Sequence, residues 1–228
     1  MNFKHHALLG LAITAALGSG QALAQAAPSA KLSVTGSFVP TACVPTLSES
    51  SIDYGVVGAA ALNKSTPTSL GSKSVTLTIT CKVPGAVGVR IADSRAGTAA
   101  PGVTGVIDSR TGNAHGFGLG VIADPAGDQP IGAYTVRITD VSSTSGPKFL
   151  MWSADNGSTW GDFVASALFA PGQDQLLGWT GTAGTGPGAY DVSTMKVNVL
   201  AGIAPTDNLT LDSEVELDGE AVIELVYI

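Results

Sequence analysis

The sequence predicts an all-β sandwich or barrel, and three observations carry that prediction. Short runs of alternating apolar and polar residues recur along the chain. Turn residues separate them, with 29 Gly and 12 Pro among 228 residues. Long Leu/Glu/Lys/Arg-rich stretches of helical period are missing. Period-2 alternation puts every second side chain on one face of a strand, as a half-buried sheet requires.

Taken in order, residues 1–24 read as a signal peptide. Lys4 gives the positive start, residues 7–18 (ALLGLAITAALG) the apolar centre, and Ala22-Leu23-Ala24 the small-residue cleavage pattern. That apolar run is shorter than the roughly 20 residues a bilayer span needs. The expectation is an exported chain starting at Gln25 and long enough for one domain.

Residues 31–39 (KLSVTGSFV) alternate, with Leu32, Val34, Gly36 and Phe38 on one side. Residues 74–81 (SVTLTITC) bring Val75, Leu77, Ile79 and Cys81 together. Further strands are expected over 86–92, 117–122, 133–139, 149–152 and 194–200. A turn of helix is expected within 162–169 (DFVASALF), ended by Pro171-Gly172. Residues 178–188 (GWTGTAGTGPG) read as a loop; no Gly-Lys-Ser/Thr follows to make it a phosphate cradle. The closing stretch 208–228 (NLTLDSEVELDGEAVIELVYI) reads as two alternating strands joined by a tight turn at Asp218-Gly219. On its second arm Ala221, Ile223, Leu225 and Tyr227 share a face, and Val222 and Val226 share the other with Glu224. Apolar groups on both faces suit a strand inside a sandwich.

Two cysteines, Cys43 and Cys81, follow the signal peptide. An even count in an exported chain points to one disulfide. A two-Cys metal site is a poor competitor, because only His115 is left beyond the signal peptide to join them. The formal charge is −7, and it becomes one unit more negative once Lys4 is removed. With no basic run, nucleic acid and anionic lipid are excluded as partners.

Residues 153–160 (SADNGSTW) resemble the Asp-box, a hairpin motif repeated on the propeller blades of sialidases. The resemblance implies a turn in which Asp155 accepts from turn amides, Gly157 takes a positive φ and Trp160 covers the core. Ser153 and Thr159 complete the pattern. Sialidase chemistry also needs an arginine cluster, and Arg90, Arg95, Arg110 and Arg137 are scattered. No repeat supports a propeller. His115 lacks a Gly-x-Ser-x-Gly elbow, and no calcium loop occurs. The expectation is a structural turn, with no catalytic residue, metal or cofactor. Trp152, Trp160 and Trp179, with Asp155 or Asp162, leave open a glycan-binding module over 149–190, in which at least one Trp belongs to the core.

Both ends of the chain resemble the subunits of chaperone–usher fimbriae, the pilins. At the amino end, Leu32-Ser-Val34-Thr-Gly36 is followed by six residues (SFVPTA) and Cys43; a second Cys closes a strand, and Tyr227 is penultimate. The middle resembles fimbrial-like secreted proteins of a domain-of-unknown-function family, which share the early Cys and an LDG-type hairpin. Where pilins often carry a Gly near the end, this chain has Val215, with Gly219 closer to the terminus.

The resemblance implies an immunoglobulin-like sandwich over 43–228 that lacks its last strand, and a donor extension over 25–42. Leu32, Val34, Gly36 and Phe38 would be the donor face. Ala221, Ile223, Leu225 and Tyr227 would line the acceptor groove and meet the chaperone. The implied partners are neighbouring subunits, a periplasmic chaperone, an outer-membrane usher and a host glycan or surface receptor. The implied destination is the fimbrium at the cell surface. Each large apolar donor side chain would contribute roughly 1.5–3 kcal/mol on burial. The competing reading of 31–39 is an ordinary first strand of a closed sandwich, folding onto its own chain.

Overall fold

A computed structural model describes residues 30–37, 42–108, 113–161, 167–171, 174–182 and 186–228. The expected signal peptide, Phe38 and most of the expected helical turn lie outside these residues. The chain divides into two units, Met1–Phe38 and Val39–Ile228. In the first unit, residues 30–37 belong to no helix or strand.

The second unit is an all-β, antiparallel sandwich. Its strands are β1 (Cys43–Leu47), β2 (Thr68–Asp93), β3 (Phe117–Gly118), β4 (Val121–Ile122), β5 (Gln129–Pro130) and β6 (Gly132–Ser143). They continue with β7 (Gly146–Pro147), β8 (Phe149–Ser153), β9 (Ala167–Leu168), β10 (Leu176–Thr180), β11 (Ala189–Ile203) and β12 (Ala221–Tyr227). One short helix, α1 (Val103–Ile107), lies between β2 and β3.

Strand β2 organises both layers. Its first part pairs with β1 on one side and β11 on the other; β11 then pairs with β6, and β6 with β3, β7 and β9. Its last part, Val87–Asp93, pairs with β12 along its length and with β10 at Val89, and β10 carries β8. The two expected strands 74–81 and 86–92 are therefore one element passing from layer to layer. Its inward positions Val75, Leu77, Ile79, Cys81, Val87, Val89 and Ile91 are all buried, as period 2 demands. Facing them are Val136, Ile138, Leu177, Trp179, Met195 and Val197. A smaller cluster gathers Ala100, Val103, Ile107, Ala133 and Ala204 under α1. Beside it, a buried ion pair joins Arg137 to Asp108.

Cys43 and Cys81 are bonded, and they are also directly opposite across β1 and β2. Apart from half-buried Cys43, the residues of β1 are exposed. That strand is held by its ladder and its disulfide rather than by burial.

Three expectations need correction. Ala167–Leu168 are strand, not helix: they extend the sheet at the edge of β6, and the Phe169 amide donates to the Val136 carbonyl (3.0 Å). Phe169, buried in the main core, rewards that placement. The expected loop 178–188 begins inside β10, because Gly178, Trp179 and Thr180 pair with β8. No hairpin forms at Asp218-Gly219. Residues 214–220 belong to no strand, and Gly219 is not among the glycines of positive φ that a tight two-residue turn would need. A long-range clamp replaces the turn. Arg95 grips Asp218 through two 2.8 Å bonds, its Nη1 lies 3.2 Å from Glu220, and the Asp218 amide donates to the Leu119 carbonyl (3.1 Å).

Candidate functional site

The second unit contains an elongated groove of about 900 Å³. Its floor is core. Val197, Val199, Ala201 and Ile203 contribute successive inward positions of β11, and Tyr134 and Val136 of β6 lie beside them. Six steps along β11, Val197 to Ile203, at about 3.3 Å each make this floor roughly 20 Å long. One rim is residues 49–57; the other runs from Ser213 to Ile223. Residues 51–58 and 214–220 carry no strand assignment. The groove is thus as long as a short strand, floored by apolar side chains and flanked by backbone outside the ladders.

Each rim is anchored. On the first, the Tyr54 hydroxyl donates to the Val199 carbonyl (2.9 Å), and Lys73 Nζ lies 5.4 Å from the Tyr54 ring centre. Burial pushes the Tyr54 phenol up to about 12 and raises that of Tyr134 further, so both hydroxyls stay protonated at neutral pH. On the second rim, Val215 and Leu217 are half-buried while Glu214 and Glu216 are exposed. The Arg95 clamp fixes its C-terminal part, and the bond to Arg95 holds the Asp218 carboxyl below the usual carboxylate range.

Ala221 and Ile223 border the groove. Leu225 packs against the core further along β12. Tyr227 lies beyond the groove, half exposed, where its hydroxyl accepts from the Cys43 amide (2.8 Å). That bond ties the end of β12 to the start of β1. In the first unit Leu32 and Val34 are exposed (89% and 90%), and Gly36 has open space around it. Phe38 lies outside the described residues. Sequence reasoning missed the rim at 49–57 (ESSIDYGVV) because Ile52, Tyr54 and Val56 alternate over only five residues, too short a run to mark an element. Its signal was Tyr54, the one aromatic in that stretch.

The Asp-box residues form a tight turn after β8. Asp155 Oδ1 accepts from the Ser153 hydroxyl (2.7 Å) and the Thr159 amide (2.9 Å), while Oδ2 accepts from the Thr159 hydroxyl (2.7 Å). Ser153 Oγ in turn accepts from the Gly157 amide (2.8 Å), with Gly157 at φ 87°. Trp160 lies against Gly178, where an added Cβ would come within 2.8 Å of the indole. Both Asp155 oxygens are used inside the turn. Trp179 is buried, with its indole N–H donating to Ser193 (2.8 Å), which removes it from any glycan platform. Trp152 remains 41% exposed, Trp160 is half-buried and Asp162 lies outside the described residues.

The hydroxyls of Ser153 and Thr159 lower the Asp155 carboxyl from 3.8 to about 2. A depressed folded value stabilises the turn above the unfolded carboxyl value, and the contribution disappears as pH falls through the folded one. The Thr159 amide resonance should therefore hold its position from neutral pH to about 4 and move as pH approaches 2. Asp155→Asn should remove that titration. Movement between pH 7 and 5 would contradict the assignment.

No group of three or more His, Cys, Asp or Glu able to hold a metal occurs among the described residues. His115 sits in a short 3-10 turn, Asn113–His115, and is not among the residues lining the groove.

The fold and groove define a disulfide-linked β-sandwich with a strand-length apolar slot. Residues 32–135 match the family described as Protein of unknown function (DUF1120). Uncharacterized protein YhcF of Escherichia coli (strain K12) is 28% identical over 227 residues, covering 90% of this chain and 93% of that protein. No solved structure matches.

Proposed function

We propose that the protein is a structural subunit of a surface fimbria, assembled by donor-strand exchange and contributing to cell adhesion. The groove is the observation that carries this reading. An apolar slot about as long as six strand steps, flanked by backbone outside the ladders, suits an incoming β-strand better than a compact ligand. The leading segment suits the slot in turn. Leu32, Val34 and Phe38 recur at the strand period, and Gly36 keeps that period while allowing close backbone approach. Ala221 and Ile223 border the acceptor, and Tyr227 secures the end of the bordering strand. A periplasmic chaperone would cover the slot before assembly, since an open apolar edge invites aggregation. An outer-membrane usher would then exchange the chaperone's strand for that of the next subunit.

Removing residues 25–38 tests the reading. The shortened chain should keep its fold and disulfide but form no polymer. Polymers of unchanged length would exclude donor-strand exchange.

A further inference from the structure

Charge around the groove is one-sided. Glu49 and Asp53 stand on one rim and Glu214, Glu216 and Glu220 on the other, and no Lys, Arg or His is among the lining residues. Two of the five carboxylates are engaged nearby: Glu220 lies 3.2 Å from Arg95, and Asp53 Oδ1 accepts from the Gly55 amide (2.7 Å), while the Asp53 backbone carbonyl accepts from Lys73. Glu214 and Glu216 are exposed on the same rim. An apolar slot between two acidic rims focuses negative potential along its length.

The leading segment has the opposite sign. All 18 acidic residues lie at or after Glu49, and the single charged side chain in residues 25–42 is Lys31, directly before Leu32. We propose that the groove selects its occupant by charge as well as shape. The occupant is the leading segment of a second copy of this chain, with the Lys31 ammonium seated against the rim carboxylates. This rests on the donor-strand reading and adds a specificity device to it. An apolar slot accepts many alternating segments; a carboxylate-rimmed one rejects those with an acidic residue beside the donor face.

The test uses the full mature chain. Sedimentation gives the concentration for half-assembly of the wild type, Lys31→Glu, and Val34→Arg as a control for the apolar fit. At low salt Lys31→Glu should raise that concentration about fivefold or more, the effect of one ion pair at contact distance in water. In about 1 M salt, where screening shortens to about 3 Å, the gap should close. Chains carrying Glu214→Lys and Glu216→Lys should accept the Lys31→Glu donor and restore assembly. Val34→Arg should fail at every salt concentration. If Lys31→Glu assembles like wild type at low salt while Val34→Arg fails, charge selection is overturned and the groove reading survives. If both variants assemble like wild type, the groove reading falls too, and with it this inference. Circular dichroism on each variant separates lost assembly from lost folding.

Discussion

A chain lacking residues 25–38 should sediment as a monomer, whereas the chain from Gln25 onward should form a concentration-dependent series. The expected loss is large because the donor face contributes on several counts together. Leu32 and Val34 are almost fully exposed in the first unit, so burying each in a neighbour contributes roughly 1.5–3 kcal/mol, and Phe38 adds a similar amount. New backbone bonds along the rims supply more, roughly 0.5–1.5 kcal/mol apiece. Losing these together would shift assembly by many powers of ten, since each 1.4 kcal/mol is about tenfold. An empty groove should leave the shortened chain folded but less stable. A copy of residues 30–38 joined behind Ile228 by a flexible linker addresses this: it should restore the lost stability and give a monomer that neither extends nor caps a polymer. A shortened chain that still polymerises would remove the basis for the donor assignment.

The second large effect concerns the disulfide. Closing a loop of 38 residues is worth roughly 4 kcal/mol in the chain-entropy account. Replacing Cys43 and Cys81 by Ser should therefore cost about 4 kcal/mol in urea unfolding. The loss should be felt first in β1, whose residues beyond Cys43 bury little and so have few other ties. Because β1 leads directly into the rim at 49–57, the reduced protein should also assemble poorly. A double variant within 1 kcal/mol of the wild type would show that β1 is held by its ladder alone.

Much of this architecture was legible in the sequence, for identifiable reasons. The alternation at 74–81 marks an inward face because Val75, Leu77, Ile79 and Cys81 meet one core, where period alone decides burial. The Cys pair and the Asp155 turn were legible because each depends on local chemistry. What escaped depends on residues far apart in the chain. Asp218-Gly219 carries a hairpin signal, yet Arg95, 123 residues earlier, takes the Asp218 carboxylate and no turn closes there. Ala167–Leu168 read as helix until the edge of β6 is available to receive them. Ala221 and Ile223, named in the sequence through the pilin resemblance, border the groove. The other rim alternates too briefly to be read as an element, and nothing local in 49–57 announces that Tyr54 will brace against β11. Tyr227 was expected in the groove for its shared face with Ile223, but position along β12 places it at the disulfide instead.

Hydrogen exchange across residues 214–217 and 49–57, the rim backbone outside the ladders, tests the central claim most directly. In the assembled mature chain these amides should exchange slowly, because a neighbour's segment pairs with the backbone between the rims. In the chain without residues 25–38 they should exchange fast while the amides of β2 and β11 stay protected. A monomeric mature chain with both rims already protected would contradict the account, since its groove would then be filled from within.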